Sequence, residues 1–287
     1  MMLPMMSDNR FSHLADVGFE RIVPTPALRP FVQWYWHIRS RGRVSTPRTE
    51  FMHADGSVGL VFNWGDALEL SHGHYPQAIS LDRVTAQSKQ LKLSGKVEAL
   101  GILFRPGGAY PVLGVPMPEL VSIEVVLAQS PFERLPQLHE QLYAAATLAD
   151  KIGLIESWLQ TVLAWSRPRS PIISPSLDII NRANGQLSLP HLAEAVHLGQ
   201  RQLERLYQEQ VGLSPKKIAQ LRRVRHARDA LKQNAHPLTD IAYLCGFYDQ
   251  AHFIHEFKAI TGLTPGAYLA RQQSRQTGHS RPGTVIK

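Results

Sequence analysis

The 287-residue sequence predicts an α+β protein of two domains: a β-rich N-terminal domain with trailing helices, and an all-helical C-terminal domain. Three observations carry this. Short apolar runs between turn residues fill the stretch from about 22 to 115, helical spacing takes over after Pro118, and one segment occurs twice near the C-terminus. A chain of this length can bury two cores.

The strands come first. FVQWYWHI (Phe31–Ile38), SVGLVFNW (Ser57–Trp64) and VEALGILF (Val97–Phe104) are apolar, aromatic and β-branched. Their bounds are the turn pairs Asp55–Gly56, Gly65–Asp66 and Ser94–Gly95, and RPGG at Arg105–Gly108. Short strands at such spacing predict a sandwich or barrel. Further on, Leu135, Leu138 and Leu142, then Ile152, Ile155, Leu159 and Leu163, repeat as one helix face does. Those helices serve as a lid over the β-domain core or as a contact between two copies of the chain. SRPRSPIISPS, with three prolines in eleven residues, is a linker. The expected division is therefore 1–166, a linker over 167–175, a helical domain over 176–272 and a disordered tail over 273–287.

Composition narrows the function classes. With 44% hydrophobic and 19% charged residues, disorder is not the default. The N-terminal segment lacks the basic and apolar regions of a secretory signal, and no apolar window is long enough to span a membrane. Cys245 is the single cysteine, so no internal disulfide can form, which fits a reducing compartment; the expected location is the cytoplasm. The net charge of +8 is unevenly spread. Residues 1–170 hold 16 Lys and Arg against 15 Asp and Glu, whereas residues 171–287 hold 15 against 8. A polyanion partner for the C-terminal part is the natural inference.

The repeat aligns LAEAVHLGQRQLERLYQEQVGLSP (Leu192–Pro215) with IAYLCGFYDQAHFIHEFKAITGLTP (Ile241–Pro265). The offset is 49 up to Leu198/Phe247 and 50 from Leu203/Phe253 through Tyr207/Phe257 to Pro215/Pro265, so the second turn has one extra residue. Each copy has the grammar of a helix-turn-helix: a short helix with a small residue (Ala193, Ala242), a tight turn, then a longer helix ending at Gly and Ser-Pro or Thr-Pro. Gly246 suits a positive φ in the second turn, and His197 takes that place less comfortably in the first. Between the copies, Ile218, Leu221, Val224, Ala227 and Leu231 form the apolar stripe of a helix about 27 Å long. One turn of B-DNA is about 34 Å, so such a spar can present two helices to successive major grooves.

The segment from about Ser174 to Ala270 resembles the DNA-binding domain of AraC/XylS-type bacterial transcription regulators. The resemblance is carried by the first copy, by RRVRHARDAL, and by LTDIAYLCGFYDQAHFIHEFKAITGLTP. It implies that the helices corresponding to Gln200–Val211 and Asp249–Ile260 enter major grooves. Gln200, Arg201, Gln202, Glu204 and Arg205 would then face DNA from the first, and Asp249, Gln250, Ala251, His252 and His255 from the second. Arginine can bridge guanine O6 and N7, and glutamine can pair with adenine N6 and N7. Lys216, Lys217, Arg222, Arg225 and Lys258 suit phosphates, which position without selecting sequence. Glu204 can equally pair within its own helix with Arg201 or Gln208. His255 departs from the family, which often has Arg or Lys there, and Ile254 stands where a small polar residue is common.

Upstream, LRPFVQWYWHI, HADGSVGLVFNWG and LGILFRPGGAYPVLGVPMPEL resemble the N-terminal region of a subgroup of these regulators. The resemblance implies a cupin-like barrel that binds a small-molecule effector and dimerises, with RNA polymerase as a further partner for an activator. Trp34, Trp36 and His53 are the candidate effector-binding residues, although aromatic pairs in short strands also serve as core. His72 and His74 share a His-x-His spacing with no completing carboxylate, so neither metal nor cofactor is expected. RPGGAYP is a structural turn. The competing function is an enzyme with a catalytic β-barrel fused to a DNA-targeting module. Residues 1–170 show no paired nucleophile and base, metal set or phosphate loop for it. A non-specific architectural DNA binder leaves the N-terminal domain without a role.

Overall fold

The computed structural model describes residues 14, 17–70, 73–75, 78–128, 132–166, 168–233 and 237–278, and among these nine strands precede eleven α-helices. Strands β1 (Phe19–Ile22), β2 (Val32–Arg39), β9 (Glu98–Phe104), β4 (Val58–Asn63) and β7 (Ile79–Asp82) pair in that order as a five-stranded antiparallel sheet. A second sheet has the order β3 (Val44–Met52), β8 (Lys89–Gly95), β5 (Leu68–Leu70), β6 (Gly73–Tyr75).

The two sheets do not close into the expected cupin-like barrel: no ladder joins them among the described residues, and neither closes on itself. The outer face of the larger sheet is buried by helices instead. Val32, Tyr35, Leu60, Phe62, Leu100, Ile102 and Phe104 share one core with Leu135, Leu142, Ile152, Ile155 and Leu159. Each such side chain withdrawn from water contributes about 1.5–3 kcal/mol, so the covering helices supply the burial that closure would otherwise provide.

Those helices are α1 (Ala109–Leu113), α2 (Ile123–Leu127), α3 (Leu135–Ala144) and α4 (Leu148–Ala164). The start of α4 is set by a capping box, in which Thr147 accepts from the Asp150 amide and Asp150 accepts from the Thr147 amide. They form the lid that the leucine spacing predicts. A smaller core between the sheets holds Ile38, Val61, Leu68, Leu93 and Ala99, with Trp36 packed against it. There Trp36 lies flat over Gly101, where an added Cβ would come within 2.1 Å of the indole. Edge strand β3 carries Pro47 inside a register shift between Val44 and Arg48, a place where a missing N–H costs no ladder bond.

The C-terminal domain comprises α5 (Ile173–Arg182), α6 (Leu189–Ala195), α7 (Gln200–Gln210), α8 (Pro215–Gln233), α9 (Leu238–Leu244), α10 (Gln250–Thr261) and α11 (Pro265–Gly278). Helix α5 begins inside the expected linker, because Pro175 falls in a first turn, where its missing N–H would be unpaired anyway. Helix α11 continues into the expected tail as far as Gly278; residues 279–287 lie outside the described set, as does His72.

Contacts cross the domain seam at several places. The Ser88 amide donates to the Ile260 carbonyl (2.7 Å), and the Tyr110 hydroxyl donates to Glu209 (3.1 Å). Arg271 donates to the Thr49 carbonyl (2.7 Å) and lies 4.2 Å from the centre of the Phe51 ring.

Candidate nucleic-acid interface

Both copies of the repeat fold into the same turn. In the first, the Leu198 amide donates to the Ala193 carbonyl at 3.0 Å and the His197 amide to Glu194 at 3.0 Å. In the second, Phe247 donates to Ala242 at 2.9 Å and Gly246 to Tyr243 at 3.0 Å. The turn requires a left-handed residue, and both copies supply one: Gly246 at φ 72° and His197 at φ 55°. Only the first accepts the strain of a Cβ there.

The two longer helices end alike as well. Gly212 and Gly262 adopt φ 83° and 77°, with amides donating to Tyr207 and Lys258. Ser214 and Thr264 then cap α8 and α11 through the amides of Lys217 (3.2 Å) and Ala267 (3.3 Å), with proline at the first helical position. The GLSP and GLTP signatures are thus stop-and-restart signals.

Anchors hold each longer helix in a shared core. Leu203 and Tyr207 of α7 and Phe253 and Phe257 of α10 are fully buried, along with Ile218, Leu221, Val224, Ala227 and Leu231 of α8. The Tyr207 hydroxyl shares a 2.8 Å hydrogen bond with Ser176, and burial pushes its phenol above the ordinary range. Cys245 is buried in this core, its thiol pushed up to about 11 by desolvation.

The opposite faces stay open. On α7, Gln200, Arg201, Gln202, Glu204 and Arg205 are all exposed, as are Lys216 and Arg225 on α8, while Lys217 is half-buried. On α10, Ala251, His252, His255 and Lys258 are exposed. Three residues of this unit are already engaged. Asp249 is the N-cap, accepting from the His252 amide at 2.7 Å, and Gln250 accepts from the Thr239 hydroxyl at 2.8 Å. His252 sits 3.3 Å from Glu256, while its Nδ1 accepts from the Tyr248 amide at 3.3 Å.

Arg222 differs from its neighbours on α8. It is half-buried, and burial lowers its guanidinium pKa while Asp55 of the N-terminal domain opposes that shift. Arg223, at the edge of the stripe, braces the second unit: it donates to the Gly246 carbonyl (3.2 Å), lies 3.6 Å from Glu256 and covers the Phe247 ring at 5.3 Å. Sequence reasoning assigned it no such role, because nothing in spacing shows that an arginine on α8 faces the α9–α10 turn.

The candidate effector residues part company. Trp34 and Trp36 share the inter-sheet face, with Arg21 stacked 3.7 Å over Trp34. His53 lies at the seam, 3.3 Å from Ser88 and with its ring 6.0 Å from that of Tyr268. A cleft of about 480 Å3 that the sequence did not reveal is lined by Asn63, Trp64, Ala67, His139, Glu140 and Tyr143. There Trp64 stacks on His139 at 5.2 Å, and Lys151 approaches the indole at 4.8 Å. Residues so far apart in the chain leave no local signal.

Comparison with known proteins bears on this geometry. Residues 192–271 match a family model described as a helix-turn-helix domain, and residues 20–125 match a domain of unknown function, DUF6597. The chain is 36% identical over 85 residues to the HTH-type transcriptional activator RhaS of Yersinia pestis, a match covering 30% of this chain and 31% of that one. It is 34% identical over 79 residues to the HTH-type transcriptional regulator GbdR of Pseudomonas aeruginosa, covering 28% and 22%. Residues 192–271 form an AraC-type DNA-binding domain.

The chain spans about a third or less of the length of these curated relatives, and the shared part is this AraC-type domain. The named relatives are transcription regulators, not enzymes. A solved structure described as a probable AraC family transcriptional regulator from Rhodopseudomonas palustris is 26% identical, covering 36% of this chain and 97% of that one with a TM-score of 0.33.

Proposed function

We propose that this chain is a one-component transcription regulator whose AraC-type domain reads a specific duplex with α7 and α10, under control of an effector held by the N-terminal domain. One observation carries the reading: two helix-turn-helix units share a single core while the outer faces of both longer helices stay open. Helix α8 has 19 residues, about 28 Å of rise, which is near one turn of B-DNA. Arg201, Gln202 and Arg205 contact base edges, while Lys216, Lys217, Arg225 and Lys258 neutralise phosphates. Arg222, half-buried and within the field of Asp55, is less available to a phosphate than these.

The effector is seated best in the cleft of Trp64, His139 and Tyr143. Trp36 already fills the space over Gly101, and Trp34 already carries Arg21. The protein works in the cytoplasm, with RNA polymerase as partner if it activates, and α3 and α4 offer a face to a second copy.

The test is selection of duplexes from a random pool by the full-length protein, with and without candidate metabolites. A recovered consensus with two half-sites about one helical turn apart is expected, with affinity falling steeply as salt rises. Recovery of no consensus, or a flat salt response, would end this reading.

A further inference from the structure

The repeat breaks at one residue, and the structure shows which. The helix caps align Gly199 with Asp249, and the first helical residues align Gln200 with Gln250. Leu198 pairs with Phe247 through the matching turn bonds, so Tyr248 alone has no counterpart in the first unit. This inserted side chain is 86% exposed. Of the six large hydrophobic side chains exposed among the described residues, three belong to this unit: Tyr243, Leu244 and Tyr248. An aromatic ring left this open to water is available to a partner.

The stem beneath the ring is rigid. The Tyr248 amide donates to His252 Nδ1, and the next residue, Asp249, caps α10. The preceding Phe247 is buried, 5.0 Å from Phe253 and covered by Arg223. A ring held out on a fixed backbone loses little freedom when a partner covers it, which favours binding. Its hydroxyl meets no partner among the described residues, and a phenol O–H can donate to a phosphate oxygen.

Position selects the partner. In a helix-turn-helix, the start of the second helix reaches base edges while the first helix crosses the backbone. A residue just before the cap of α10 therefore stands at the lip of the groove, beside the sugar–phosphate strand. Helix α10 also needs such a hold more than α7 does, since it has no counterpart of the exposed Arg201 and Arg205.

We propose that Tyr248 clamps the second reading helix to the DNA backbone, its hydroxyl donating to a phosphate oxygen and its ring covering the adjoining sugar. The clamp rests on the DNA-binding function proposed above. It positions α10 and does not choose bases.

The test uses the full chain and the duplex recovered by selection, with Tyr248→Phe, Tyr248→Ala and Arg205→Ala in parallel. Tyr248→Phe should weaken binding about fivefold, the effect of one lost hydrogen bond, and Tyr248→Ala should weaken it further. Both losses should be the same on duplexes carrying base changes in the second half-site. A methylphosphonate scan should find one phosphate whose neutralisation weakens the wild type but not Tyr248→Phe. Wild-type affinity in both Tyr248 variants, with Arg205→Ala weakened, would overturn the clamp and leave the DNA reader standing. A changed base preference in Tyr248→Ala would also overturn it, making Tyr248 a base reader. Failure of the wild type to prefer any duplex would sink the regulator reading itself, and the clamp with it. If Tyr248→Ala does not fold, as judged by circular dichroism, Tyr248→Phe decides.

Discussion

The first and second helix-turn-helix units share a skeleton and differ in what they spend their surfaces on. The first presents Gln200, Arg201, Gln202, Glu204 and Arg205, and caps its reading helix with a bare Gly199. The second presents Ala251, His252, His255 and Lys258, caps with Asp249 and adds Tyr248. Duplicated folding instructions thus survive where side chains build the turn and the core, and drift where side chains meet solvent. The first unit concentrates charge, while the second concentrates local order: a cap, a braced turn and the tie between His252 and Glu256.

The largest test of that comparison attacks what the units share. Phe253→Ala and Leu203→Ala each empty a fully buried site and should cost about 2–5 kcal/mol in urea-induced unfolding. A loss in only one of them would mean that the two anchors are not equivalent. Next comes what they do not share. Arg205→Ala should weaken operator binding by about 1–3 kcal/mol and relax specificity at the base it meets, whereas His255→Ala should cost less in the same titration. Equal losses would erase the proposed division between charge and order.

A smaller effect is expected at the caps. Asp249→Ala should destabilise the fold by about 1 kcal/mol, since the His252 amide loses its acceptor. Smallest of all, Gly199→Asp should stabilise by about a few tenths of a kcal/mol. Its cap position has φ −66° and open space where a Cβ would stand. Thermal melts of the two variants, read side by side, show whether the second unit's order comes from its cap.

Much of the helical domain was legible in the sequence because its information is local. The Gly-Leu-Ser-Pro and Gly-Leu-Thr-Pro signatures, the small residues Ala193 and Ala242 and the positive φ at residues 197 and 246 each depend on neighbours a few positions away. The β domain was less legible. Strands β3 and β8 show no apolar run, since each carries charge: Glu50 pairs with Arg48 inside β3, Lys92 with Glu69 of neighbouring β5, and Lys89 with Asp82 of the other sheet. The expected barrel failed because strand spacing cannot tell closure from a sheet covered by helices.

The sequence by itself determined the duplicated helix-turn-helix, the spar between its copies and the cationic excess of that half, because periodicity, caps and charge need no long-range partner. Only the tertiary structure decided that the sheets stay open, that Arg222 is half-buried within the field of Asp55, that Arg223 braces the second turn and that Trp64 meets His139. Each of these joins residues distant in the chain. Which of many such meetings occurs is set by how whole faces pack, and that is a property of the assembled fold.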